Sequence, residues 1–267
     1  MSFPHFAGKT YDFIIFQGGL QRTVYQGIIP LDGRFTLSIP EEYELYIGMS
    51  RWLLTGTKEG GGLDMFIHGR DFSVSCNEAM PNNKNIIYVN NDYNKELSDL
   101  QRKQEIILNR YEVMSQAVRV FSVDDKNYQI FKTEFQKQKN AYNNFQKHLS
   151  QKSDYISNFL QIVNITRGLG IHLEEKQEFK AEDISNYITH QLNWEDLYTS
   201  GHWNTIIDSW ISIHTRVINN PKRFAKDFGV IESKLKSDKL QYDFLERVKR
   251  DLTTENKKSF LKELKIN

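Results

Sequence analysis

Between Tyr11 and Val89 the apolar residues gather in short runs rich in β-branched and aromatic side chains: Tyr11–Gln17, Thr23–Ile29, Arg34–Ile39, Met49–Thr55, Leu63–His68, Asp71–Cys76 and Ile86–Val89. Residues that fix φ or supply positive φ separate them, at Gly18-Gly19, Asp32-Gly33, Pro40, Gly60-Gly61-Gly62, Gly69 and Pro81-Asn82-Asn83. Runs of this length and spacing predict an antiparallel β-sandwich. In Arg34–Ile39 the alternation puts Phe35, Leu37 and Ile39 on one face and the polar residues on the other, and Asp32-Gly33 just before it predicts a hairpin. The same alternation sets Cys76 on the face of Phe72 and Val74, which predicts a buried, inert thiol.

Near Tyr93 the period changes from 2 to about 3.5 residues. Tyr93, Leu97, Leu100, Gln104, Ile107, Tyr111, Met114, Val118 and Phe121 form one stripe, and Tyr128, Phe131, Phe135, Gln138, Tyr142, Phe145 and Leu149 form another. With the polar joint Asp124-Asp125-Lys126-Asn127 between them, the two predict a long antiparallel helical hairpin. Ser153 is expected to cap a helix carrying Ile156, Phe159, Leu160 and Val163 that stops at Gly168 and Gly170. Further helices are expected over Ala181–Leu192, along the stripe Trp203, Ile206, Ile207, Trp210, His214 and Val217, and over Phe224–Leu235 and Leu240–Leu252. Asn219-Asn220 ends the stripe, Pro221 opens the next helix, and the Lys-rich segment through Leu264 reads as a solvated tail helix. The expected fold is α+β: an N-terminal antiparallel β-sandwich at residues 1–91, then an all-α region at 92–267, the two joined near Asn90–Asn94.

Composition narrows the function classes. The 267 residues carry 35 Lys+Arg against 34 Asp+Glu, a formal net charge of +1, so no net field draws the chain to nucleic acid or anionic lipid. A mean hydropathy of -0.59 and the lack of a long apolar run exclude a membrane-spanning helix. One cysteine allows neither an internal disulfide nor dithiol exchange. Met1–Lys9 has no basic start followed by an apolar stretch, so no secretory signal is expected in this chain.

Few residues suggest chemistry. Gly56–Gly62 is glycine-dense, but a phosphate loop needs Gly-Lys-Ser/Thr running into a helix, and a strand follows here. It reads as a hairpin loop, with Gly60, Gly61 and Gly62 as possible ligand contacts. Asp64 and His68 share a strand face, with Asp71 nearby, yet two ligands do not make a metal site, and neither metal nor cofactor is expected. His202 and His214 bracket Trp203 and Trp210; His214 follows Trp210 by one turn and reads as a core histidine. Asp208 points elsewhere on that helix, and no nucleophile, base and carboxylate converge in the pattern. The Asn164-Ile165-Thr166 sequon lies within a helix and reads as chance.

Larger stretches carry a family resemblance. They are Ala7–Tyr11, Gln26–Phe35, Gly48-Met49-Ser50-Arg51-Trp52 and Gly60-Gly61-Gly62-Leu63-Asp64, then Ile162–Gly168 and Leu197–Trp203. The first four resemble the N-terminal domain of uncharacterised function that precedes thioredoxin-like domains in exported bacterial proteins of the thiol-disulfide oxidoreductase and alkyl-hydroperoxide-reductase type; the last two resemble its helical spacer. The resemblance implies a cell-envelope or periplasmic setting and a thioredoxin-like domain, or its protein substrate, as partner. No Cys-x-x-Cys or βαβ pattern occurs before Asn267, so it brings no catalytic residue. The chain is expected to be a non-catalytic accessory module, recognising its partner through Gly60–Gly62 and the exposed side of Gly201–Trp210, with His202, Trp203 and Trp210. Two rival readings are an independent enzyme using His202, His214 or Asp64, and an oligomerisation element built on the Tyr93–Leu149 hairpin.

Overall fold

The computed structural model describes residues 1–43, 45–58 and 60–265. The chain is α+β, and it divides into two compact units: Met1–Ser98 with Glu195–Trp203, and Asp99–Trp194 with Asn204–Asn267.

In the first unit, β1 (Thr10–Gln17), β2 (Leu20–Ile28), β3 (Gly48–Thr55) and β4 (Gly62–Ile67) form an antiparallel sheet in the order β2-β1-β3-β4. β1 lies inside the sheet and is buried on both faces, which is why Phe13-Ile14-Ile15-Phe16 runs without a polar break. Tyr11, Phe13 and Ile15 pack with Trp52, Leu54, Met65 and Ile67 into the main core, which is closed by Val74 on β5 (Ser73–Ser75) and Cys76 just after it. β5 pairs with β6 (Ile87–Val89) in a ladder of three residue pairs, so the expected sandwich resolves into one four-stranded sheet and a small companion ladder.

Arg34–Ile39 forms no strand. It touches the sheets through one bridge, Arg34 to Ser2, yet Phe35, Leu37 and Ile39 pack on the core while Arg34, Thr36 and Ser38 stay exposed. The alternation reported which face is buried, and said nothing about pairing. Asp32-Gly33 accordingly makes a turn, Gly33 N–H to Pro30 O at 2.8 Å, and no hairpin. Gly33 has φ +74°, and a Cβ there would lie 2.4 Å from the Pro4 Cα.

The other sheet face is covered by local segments. Phe66 accepts from Asn91 and donates to Asn94, and its ring meets Tyr93 edge-on at 5.3 Å. At the far end the backbone at Tyr198 and Thr199 accepts from Gly18 N–H (2.7 Å) and Met49 N–H (3.0 Å).

α1 (Asp92–Val120) leads into the second unit, followed by α2 (Tyr128–Lys152). Their pairs Gln104–Gln146, Tyr111–Phe135 and Phe121–Phe131 run in opposite directions along the two helices, which gives the expected antiparallel hairpin. Its inner seam holds an amide cluster: Gln104 Oε1 accepts from Gln146 and Asn164, and Gln104 Nε2 donates to Asn164 Oδ1 at 2.7 Å. All three amides are buried, so the Asn164 sequon is closed to solvent.

α3 (Tyr155–Thr166) is buried on most sides, with Ser157, Asn158, Gln161 and Asn164 among its buried residues; Asp154, accepting from Ser157 N–H, is its cap, while Ser153 is the left-handed end of α2. α4 (Gln177–His190), α5 (Trp194–Tyr198) and α6 (Trp203–Ser212) follow. α6 continues as a π-helical turn, Ile213–Ile218, and then come α7 (Pro221–Glu232), α8 (Asp238–Thr254) and α9 (Lys258–Leu264). α9 is no solvated tail: Phe260 is buried, edge-on to Phe224 at 5.4 Å. No helix among the described residues is long and apolar enough to cross a membrane.

Candidate functional site

Arg51 on β3 and Asp64 on β4 stand opposite one another in register, and opposite charges so placed find each other across an antiparallel pair. Arg51 Nε lies 2.6 Å from Asp64 Oδ1 and Nη2 2.9 Å from Oδ2, a bidentate pair with side chains 41% and 50% exposed. The guanidinium also lies 5.9 Å over the ring of Phe16 on β1. Gly201 lies against that same ring: a Cβ there would be 3.2 Å from it, and φ is +80°.

Gly201 thereby sets His202 beside the pair. Ser200 Oγ donates to Leu197 O and accepts the His202 N–H at 3.0 Å, fixing the backbone that carries the imidazole. Burial lowers the His202 pKa below the ordinary imidazole value; Asp64 opposes that and Arg51 adds to it. A guanidinium, a carboxylate and a neutral imidazole are thus held on a rigid sheet face. Gly62 pairs with Leu53 in the ladder two residues before Asp64, and Gly60 and Gly61 take positive φ in the β3–β4 turn. Glu59, in the same loop, lies outside the described residues, as does Asn267.

Of the residues singled out in the sequence, Gly60, Gly61, Gly62, Asp64 and His202 therefore fall in one unit, joined by Arg51, which the sequence reading missed. Laying Met49–Thr55 against Leu63–His68 across the glycine turn pairs residues whose numbers sum alike, and that register alone would have found it. The two tryptophans do not belong to a recognition surface. Trp203 is 1% exposed and stacks edge-on to Tyr198; Trp210 is 0% exposed, packed on Phe224 with its Nε1–H directed to Thr189 Oγ1. A long apolar stripe sends its largest rings to the core, so neither ring is presented to a partner. His68 is held by Asn90 O at 2.9 Å between Phe72 and Tyr93, away from Asp64's salt bridge.

The second unit brings Ser185, His214 and Asp227 together, with Arg223 joining Asp227 to Glu182. Their geometry is unlike a nucleophilic relay. Ser185 Oγ (2.9 Å) and Asp227 Oδ2 (3.5 Å) both face Nε2 of His214, whereas a relay needs the carboxylate on one ring nitrogen and the hydroxyl on the other. Ser185 and His214 are each 0% exposed, and burial, with Arg223 adding to it, lowers the His214 pKa to about 4. This is a core histidine, as its place on the stripe implied.

Concave surfaces in the second unit include a groove of about 770 Å³ over Phe135 and Ala141 between Lys132 and Lys137, one of about 450 Å³ bordered by Lys180, Asp208 and Ser212, and one of about 310 Å³ between Glu105, Tyr111 and Arg167. No residue expected from the sequence to form a site lines any of these three. Among the described residues no three His, Cys, Asp or Glu side chains come close enough to share an ion. No family model, no curated protein and no solved structure matches this chain.

Proposed function

We propose that the chain is a non-catalytic binding module whose recognition surface is the Arg51–Asp64–His202 face of the sheet together with the Gly60–Gly62 turn. The observation that carries this reading is the half-exposed bidentate pair laid over Phe16 beside a neutral imidazole. An exposed ion pair contributes only about 0–1 kcal/mol to stability, so its arrangement on a rigid face with an imidazole suits recognition better than folding. The three groups offer donors and an acceptor at fixed spacing, suited to a polypeptide backbone or a carboxylate. The partner class rests on the sequence resemblance alone: a thioredoxin-like domain of the cell envelope, in cis or trans, or the disulfide protein on which it acts. The test compares turnover of a protein disulfide by a thioredoxin-like domain with and without this chain, and with its Arg51→Ala and His202→Ala variants. Faster turnover that either substitution abolishes supports the module; equal rates in all four arms remove the recognition role.

A further inference from the structure

α1 carries two apolar stripes. One faces the hairpin seam and holds Gln104 and Ser115, which are 1% and 3% exposed. The other, about 160° away around the helix, holds Ile106, Val113 and Val120 at 50%, 59% and 81% exposure, with the half-buried Ala117 between the last two. Branched side chains seven residues apart on the outer face of a long helix fill one of the two seam positions of each heptad, with Ala117 at the other position in the second heptad and Asn109 and Arg110 there in the first, and nothing in the chain's own hairpin needs the branched residues there. Single exposed apolar residues are ordinary; a straight line of three is an unpartnered face.

We propose that this face pairs with the same face of a second copy of the chain, α1 against α1, antiparallel about Val113. A two-fold axis at Val113 sets Val113 against itself and Ile106 against Val120 of the second copy, so the seam is self-complementary over about 21 Å. The charges at its ends select both the occupant and the direction. Arg102 lies about one turn before Ile106 on the same side of α1, and Asp124 lies four residues after Val120, in the turn that follows the helix. Antiparallel pairing therefore brings cations opposite carboxylates at both ends, whereas parallel pairing would set like against like. Within one chain Arg102 meets Asp99 at 2.7 Å on the open surface, Lys103 lies 5.7 Å over the Phe145 ring on the hairpin side, and Asp125 accepts the Ser122 N–H, which leaves Arg102 and Asp124 as the pair that faces a second copy.

The full chain should show a concentration-dependent dimer in sedimentation equilibrium, weakened by salt. Val113→Glu should raise the dissociation constant roughly a hundredfold or more, because each dimer loses two apolar contacts and buries two carboxylates. Arg102→Glu should weaken the dimer and Arg102→Glu with Asp124→Lys should restore it. Direction is read by oxidative cross-linking, with Cys76 buried and out of play. Val113→Cys should cross-link alone, while Ile106→Cys should cross-link to Val120→Cys and not to itself. A monomer at every concentration, a dimer indifferent to Val113→Glu, or efficient self-cross-linking of Ile106→Cys would each overturn the proposal. Since the substituted positions are exposed, unchanged helical circular dichroism is expected in every variant.

Discussion

Gly48 has no room for a methyl group. A Cβ there would lie 2.4 Å from Thr199 Cβ and 2.8 Å from the Tyr46 hydroxyl, which itself accepts from Phe16 N–H and donates to Met49 O. Gly48→Ala should cost about 1–3 kcal/mol in urea unfolding, and Thr199→Gly should recover part of it. His214 makes stability depend on pH. The native imidazole refuses its proton until about pH 4, whereas the unfolded chain takes one up near 6.5, so the unfolded state binds more protons between those values. This contribution is complete above pH 6.5 and is lost as pH falls through the window, on the order of 3 kcal/mol in all. Asp251 has the opposite sign: burial and the neighbouring Asp208 raise it to about 6, so the native state keeps a proton the unfolded chain has lost. The difference in unfolding free energy between the parent and His214→Gln should therefore be measured across pH 4–7, where it isolates the histidine; a constant difference would contradict the assignment. Both the burial of Cys76 and that of His214 could be read from a stripe, because each occupies a position whose neighbours are apolar. The pairing of Arg51 with Asp64 was open to a hairpin register, but the arrival of His202 beside it was not, since His202 comes on a segment about 150 residues away.

At the scale of elements, periodicity reported facing and left pairing unspecified. Arg34–Ile39 alternates as a strand does and packs as one, but Ser2 supplies its single bridge. The α1 and α2 stripes were legible because a hairpin's contacts are near in sequence, and they even flagged Gln104 and Gln138 as polar residues in apolar positions. Gln104→Ala should cost roughly 2–4 kcal/mol by stranding the amides of Gln146 and Asn164, measurable by thermal unfolding. Asn90–Asn94, where the two regions were expected to join, is tied down: Asn91 and Asn94 are 1% and 8% exposed and both bond Phe66. Limited proteolysis should accordingly cut first in the exposed Phe121–Asn127 turn and spare Asn90–Asn94.

For the whole molecule, the N-terminal unit is not continuous in sequence. Gly18 N–H and Met49 N–H of its sheet donate to the carbonyls of Tyr198 and Thr199, which belong to the second segment. A fragment of residues 1–98 should therefore be less stable than the same fragment given a peptide of residues 195–203, as followed by urea unfolding monitored by far-ultraviolet circular dichroism; no gain from the peptide would show that the docked segment adds nothing. The local hydrophobic period could not reveal this arrangement, because α5 is short and its role is set by distant backbone groups. On the ribosome the consequence becomes one of timing. Once Ser98 has been joined, roughly a hundred more residues must be added before Glu195–Trp203 exists, on the order of ten seconds at usual elongation rates. Throughout that interval the nascent sheet waits with part of one face uncovered, and a holdase would find its natural binding place beside Phe16, where Gly201 has yet to arrive.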